Sequence, residues 1–222
     1  MRNESKEDTL LMFDLDGTLW DSAQSVAESW NEVFREADES LPELTEADVH
    51  GVMGLTMKEI SQVLQPGMKP EMRGPVFERC CRHEVEYLYD HPGKLYPHLR
   101  ETLEELRAMG YELAIVSNCQ RGYVEAFLKG SGLGEMFLDY EEWERTGRPK
   151  GENIRLVMER CGYEKAVYVG DTRKDQEAAR LAGIPFIHAS YGFGETEAPD
   201  GVIGAIGELP ALLRDRRNKK HG

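Results

Sequence analysis

The stretch Leu11-Met12-Phe13-Asp14-Leu15-Asp16-Gly17-Thr18-Leu19 decides how this chain is read. It opens as a short apolar run, closes on two carboxylates two residues apart, and breaks at a glycine. Residues two apart in a strand point to one side. At the end of a strand, Asp14 and Asp16 can therefore converge on one point beyond the sheet edge. An acid closing an apolar strand is costly to bury unless it is paired. Two acids there suit a divalent metal and a covalent phosphoryl acceptor, chemistry that a purely structural strand does not need.

Working outward, four short apolar runs read as strands buried on both faces of a parallel sheet: residues 10–15, 112–117, 166–170 and 185–189. Helical patterns lie between them. Leu99, Leu103 and Leu106 share a face ahead of Gly110, and Val124, Phe127 and Leu128 follow the second strand. Ile154, Val157, Met158 and Cys161 recur at helical spacing before Gly162, and Ala178, Ala179 and Ala182 precede Gly183. This alternation predicts an α/β fold with a doubly wound, mainly parallel sheet, in which ligands sit beyond the carboxyl ends of the strands.

Residues 21–92 break the alternation, with helical patterns and no convincing strand. Ala23, Val26, Ala27, Trp30, Phe34 and Ala37 form an apolar stripe behind the caps Asp21 and Ser22. Shorter helices are expected from Thr45 and Thr56, and Pro66, Gly67 and Pro70 mark a loop. Phe77, Cys80, Cys81, Val85 and Leu88 make a last stripe. The expected organisation is a core of residues 1–20 plus 93–222 and a small α-helical domain, 21–92, inserted right after the two acids like a lid. The polar tail, residues 214–222, is expected to fray.

Composition narrows the function. The chain has 222 residues, 40% of them apolar, enough for one large domain or a domain with an insertion. No apolar run reaches membrane-spanning length, and the first eight residues lack the apolar stretch of a signal peptide. Cys80, Cys81, Cys119 and Cys161 show no metal-type spacing and read as free thiols of a cytoplasmic protein. A net charge of −14 repels nucleic acid and anionic membrane. An anionic metabolite then needs a local cation or a bound metal. No exposed apolar repeat distinguishes monomer from dimer.

The strand ends supply that locality. The first ends in Asp14 and Asp16, the second in Ser117-Asn118, and the third in Gly170-Asp171-Thr172-Arg173-Lys174-Asp175; Lys150 stands ahead of a helix between the last two. Parallel strands bring all of these to one edge. Taken singly, an acid after a strand is often only a helix cap. Together they suit a phosphate monoester: three acids for Mg2+, with lysine and Ser/Asn donors for the phosphoryl oxygens.

In these residues the chain resembles the haloacid dehalogenase superfamily of aspartate-dependent phosphatases. Its four motifs occur in order: Asp14-x-Asp16-Gly17-Thr18, Ser117-Asn118, Lys150, and Gly170-Asp171-Thr172-x-x-Asp175. The helical insertion is similar to the C1-type cap of phosphoglycolate phosphatases and β-phosphoglucomutases. The resemblance implies an Mg2+-dependent reaction in which Asp14 attacks phosphorus to give an aspartyl phosphate. Asp16 would protonate the leaving alkoxide and then deprotonate water. Asp14, the Asp16 carbonyl and Asp171 would hold the metal, with Asp175 behind them as a water-mediated ligand or a partner of Lys150. Ser117, Asn118 and Lys150 would hold the phosphoryl group, and Thr18 would orient Asp16.

Within that superfamily, Asp16 argues against a dehalogenase, whose leaving group needs no proton. It argues equally against a phosphonatase, although Lys58 lies in the region where those enzymes carry a Schiff-base lysine. Asp171 paired with Asp175 resembles the phosphatase version of motif four rather than the Glu-Asp pair of the mutases. The expected function is hydrolysis of a small phosphorylated metabolite. The alternatives are a β-phosphoglucomutase-like phosphotransferase and, from another class, a non-catalytic protein using the scaffold for binding. Specificity is expected from residues 51–56 and the first helix of the insertion. Tyr96-Pro97-His98 departs from the Tyr-Pro-Gly common in phosphoglycolate-type relatives.

Overall fold

The computed structural model describes residues 7–55, 57–65 and 67–221, and not the side chains of Met57, Lys58 or residues 219–221. The expectations for Met1–Lys6, Thr56, Pro66 and the Lys58 side chain lie outside what is described. In chain order the strands and helices are β1 (Thr9–Phe13), β2 (Trp20–Asp21), α1 (Ala23–Ala37), α2 (Glu46–His50), α3 (Met57–Val63) and α4 (Pro70–Asp90). They continue with β3 (Lys94–Leu95), α5 (Leu99–Ala108), β4 (Leu113–Ser117), α6 (Tyr123–Ser131), β5 (Asp139–Glu142) and α7 (Trp143–Thr146). The last are α8 (Lys150–Cys161), β6 (Lys165–Gly170), α9 (Arg173–Ala182), β7 (Phe186–Ala189), β8 (Gly201–Ile203) and α10 (Leu209–His221).

Among the described residues, six strands form one parallel sheet in the order β5-β4-β1-β6-β7-β8, with helices on both faces. The strand alternation builds two separate cores. Leu11, Phe13, Leu113, Ile115, Val167 and Val169 pack on one face, and Leu10, Met12, Ala114, Val116, Ala166 and Tyr168 on the other. Each fully buried large apolar side chain contributes roughly 1.5–3 kcal/mol. That fixes β1, buried from Leu10 through Phe13, at the centre of the sheet.

The expected α/β sheet is present, with three differences. β1 ends at Phe13 rather than residue 15: the Leu15 carbonyl accepts from the N–H groups of Thr18, Leu19 and Trp20, closing a tight turn around the two acids. β5 and β8, the two edges, were not expected; Asp139-Tyr140-Glu141-Glu142 carries none of the apolar signal of a buried strand. The tail is a helix rather than frayed chain, with Arg214 paired to Glu105 and Arg217 to Glu7.

Helices α1 to α4 form their own hydrophobic cluster from Val26, Trp30, Phe34, Val49, Phe77 and Cys80, among others. Thr45 and Asp48 close a reciprocal capping box on α2. Ser22 precedes α1 but does not cap it; Asp21 accepts from the Ala23 N–H at 3.0 Å instead. Pro70 opens α4 as its first residue, a position that tolerates proline. The chain enters and leaves the helical segment through an antiparallel ribbon that pairs Trp20 with Leu95 and Asp21 with Lys94. His98, just beyond the ribbon, has left-handed backbone at φ 63°, a conformation glycine adopts freely.

Candidate active site

The carboxyl ends of β1, β4 and β6 place the predicted residues on one edge. Asp14 follows β1, its N–H donating to the Val169 carbonyl of β6. Lys150, at the start of α8, donates to Asp14 Oδ1 at 2.9 Å and to Asp175 Oδ1 at 2.6 Å, and is only 5% exposed. Asp175 is fixed twice, by Lys150 and as the third residue of a capping box with Thr172 at the start of α9. Gly170 makes that approach possible, because a Cβ there would sit 2.7 Å from the Asp175 Cβ.

Asp14, Asp171 and Asp175 are all buried and offer oxygens within 4.8 Å of one another. The Phe193 N–H donates to Asp171 Oδ2 at 2.7 Å, while Asp171 Oδ1, fully buried, has no hydrogen-bond partner. Gly17, at φ 78°, lies against Asp171 so closely that any side chain there would collide with the carboxylate. Burial, then repulsion from Asp175 and Asp14, pushes Asp171 up to about 8. Burial and Asp175 push Asp14 up to about 7, against the pull of Lys150. Burial opposes the charge of Lys150, yet Asp14 and Asp175 hold its ammonium well above the usual lysine value. Lys150 thus pairs with two of the three acids, and a fully buried oxygen of the third, Asp171, is left unpaired. A hard divalent cation with oxygen preference fits this donor set.

Asp16 is not one of that cluster, though it lines the same cavity as Asp14. Its Oδ1 accepts from Ser22 Oγ at 2.6 Å and from the Tyr123 hydroxyl at 3.0 Å. Burial pushes its carboxyl up to about 6, and these two hydrogen bonds restrain the rise. A carboxyl titrating near neutrality is suited to giving and taking protons. Thr18, expected to orient Asp16, does not: its buried hydroxyl has no hydrogen-bond partner, and Ser22 and Tyr123 hold the acid. Glu142, at the end of β5, accepts from the N–H groups of Gly122 and Val124 and so fixes the start of α6, which carries Tyr123. Tyr123, Ser22 and Glu142 were missed. Tyr123 reaches Asp16 across 107 positions, Ser22 across six but outside any motif, and Glu142 sits on a strand that carries no sequence signal.

Asp14, Asp16, Ser117 and Asn118 line one cavity of about 50 Å³ with the apolar side chains of the helical segment. At about 10–15 Å³ per water-sized group, only a small molecule is enclosed. Three contacts join the segment to the sheet edge around the cavity. Asn118 Nδ2 donates to the Gly54 carbonyl at 3.3 Å, Lys174 pairs with Glu59 at 2.8 Å, and His50 stacks on Phe193 with centroids 4.4 Å apart. Cys119 lines the same cavity as a packed thiol, held well above the ordinary thiol value first by burial. His188 Nε2 donates to the Asp171 carbonyl at 3.1 Å, at the end of β6.

A lysine-bridged acid cluster at the edge of a parallel α/β sheet defines a class of enzyme, and the comparisons identify it. Residues 11–189 match the family model for haloacid dehalogenase-like hydrolases. The phosphoglycolate phosphatase of Vibrio cholerae is 30% identical over 220 residues, covering 90% of this chain and 94% of its own. The chain belongs to the haloacid dehalogenase-like hydrolases and is an enzyme, a phosphatase of that family. Among solved structures, a predicted phosphoglycolate phosphatase from Haemophilus somnus superposes with a TM-score of 0.80 at 24% identity, covering 94% of this chain and all of that one. A haloacid dehalogenase-like hydrolase from Streptococcus pneumoniae matches with a TM-score of 0.80 at 22% identity, covering 92% of this chain and 98% of its own. At these identities the structural likeness shows the fold.

Proposed function

We propose that this enzyme hydrolyses the phosphate monoester of a small phosphorylated metabolite through an aspartyl phosphate on Asp14, with Mg2+ as cofactor. The observation that carries the reading is the pairing of Asp14 with Lys150 beside a cavity that also holds Asp16. With Oδ1 held by Lys150, the other oxygen of Asp14 attacks phosphorus as the phosphorus–alkoxide bond breaks. Asp16 gives its proton to the leaving oxygen. It then takes a proton from water, whose oxygen attacks phosphorus and releases phosphate from Asp14.

Ser117, Asn118 and Lys150 hold the phosphoryl oxygens, and Asp175 positions Lys150. Asp14, Asp171 and the Asp16 carbonyl would hold the metal, which when bound neutralises charge between carboxylate and phosphate. Residues 21–92 act as a cap over the core formed by 1–20 and 93–222. Closure excludes water from the first step, and opening admits substrate. The four free cysteines fit a cytoplasmic enzyme, and the acidic surface fits small-molecule rather than nucleic-acid or membrane partners. Phosphoglycolate, named for the Vibrio cholerae relative, is the first metabolite to assay. Mg2+-dependent hydrolysis of p-nitrophenyl phosphate tests the reading, with Asp14→Asn as control. Full activity in that variant, or none in the wild type, overturns it.

A further inference from the structure

The cavity has a second polar end that none of the steps above uses. Glu84 of α4 and Gln120, which follows β4, both line it, at 3% and 6% exposure. Glu84 Oε2 accepts from the Trp30 indole N–H at 2.7 Å. The Gln120 side-chain nitrogen is buried in the wall beside the Glu84 carboxyl and makes no well-formed hydrogen bond. Leaving such a donor unpaired costs roughly 1–3 kcal/mol, a cost relieved when a ligand oxygen meets it. The rest of that wall is apolar, from Val26, Val49, Val52 and Ile60, and among the described residues no lysine, arginine or histidine lines it.

We infer that Glu84 and Gln120 select the leaving group, and that they take an uncharged alcohol carrying a further hydroxyl rather than a carboxylate. This rests on the phosphatase reading above. The hydroxyl accepts from Gln120 and shares a hydrogen bond with the Glu84 carboxyl, completing both. A carboxylate in the same place would be desolvated with no cation among the described residues to match it, which is strongly unfavourable. Burial raises Glu84 to about 8, so at neutral pH this wall carries no charge of its own. The substrate is then a short phosphorylated polyol, with its phosphate over Asp14 and its distal hydroxyl between Glu84 and Gln120.

Steady-state kinetics with Mg2+ on racemic glycerol 3-phosphate, n-propyl phosphate and 2-phosphoglycolate test this. The wild type is expected to show a kcat/KM for glycerol phosphate about tenfold above each of the others, the factor of one good hydrogen bond. The glycerol-to-propyl ratio is expected to fall towards one in Gln120→Leu and in Glu84→Leu. Equal wild-type rates on glycerol and propyl phosphates, faster hydrolysis of 2-phosphoglycolate, or an unchanged ratio in both variants overturns the inference. The wild-type comparison needs no variant, so a folding defect does not blunt the test. Hydrolysis of p-nitrophenyl phosphate without a hydroxyl preference defeats this inference alone. No hydrolysis of any ester defeats the phosphatase reading and this inference with it.

Discussion

The sheet edge and the helical segment face each other across one cavity and are made of opposite materials. On the sheet side, Asp14, Lys150 and Asp175 are charged, buried and bonded to one another at 2.6–2.9 Å, on or just beyond rigid elements. On the segment side, Val26, Trp30, Val49, Val52 and Ile60 are apolar, with Glu84 the acid among them. The two sides are held together by a few polar bonds, one ring stack and the packing of Val85, Leu88 and Tyr89 of α4 into the sheet-side core. Chemistry needs charges held at fixed distances, and close-packed strand ends supply that. Choice of substrate needs a shaped wall, and helices α1 to α4, with a hydrophobic cluster of their own, supply one.

The comparison is broken or sharpened by substitutions on either side. The largest effect is expected from Asp14→Asn, which should lower kcat on p-nitrophenyl phosphate by about 10⁴-fold or more, as loss of a nucleophile does elsewhere. Circular dichroism should show the fold intact. Tyr123→Phe comes next: it removes one of the two bonds on Asp16, and kcat should fall by about tenfold with KM little changed. A change confined to KM would place Tyr123 in binding instead.

On the segment side the expected effect is on stability. Glu84 is raised to about 8 from 4.5, so between those values it is protonated in the fold and ionised in the unfolded chain. Its contribution is complete below pH 4.5 and is lost as pH rises through 8. Asp14 and Asp171 are also raised and titrate in the same direction in metal-free protein. Glu84→Gln leaves those two in place. Its melting temperature should therefore fall less than the wild type's between pH 5 and 8, by a free-energy difference of at most roughly 4 kcal/mol. Parallel curves would show that Glu84 is not buried as described. The smallest effect is expected from His98→Gly, which frees left-handed backbone and should raise stability by about 0.5–1 kcal/mol, read as a rise in melting temperature.

Most of the sheet and its acids were legible because their signals are local. An apolar run closing on an acid or a Ser-Asn pair names β1, β4 and β6 together with what each carries. β5 was not legible, since an edge strand of acidic residues looks like loop. The residues that tune the site were not legible either. Tyr123 meets Asp16 across 107 positions and Trp30 meets Glu84 across 54, and neither spacing is written in any local pattern. Thr18 shows the converse: its place inside the motif suggested a bond that the turn around Leu15 does not make. The Tyr96-Pro97-His98 departure was legible as a difference, and its reason, a positive φ, only in three dimensions.

The ribbon that pairs Trp20 with Leu95 and Asp21 with Lys94 carries a consequence for inheritance. The chain leaves the sheet and returns to it at one place, so the register of the strands is indifferent to what lies between. Lengthening such an excursion costs little, since closure entropy grows only with the logarithm of its length. A lineage can therefore trim, extend or exchange much of what lies beyond the ribbon while the acids of the sheet edge stay untouched. New substrates can be acquired by descent without the catalytic machinery being invented twice.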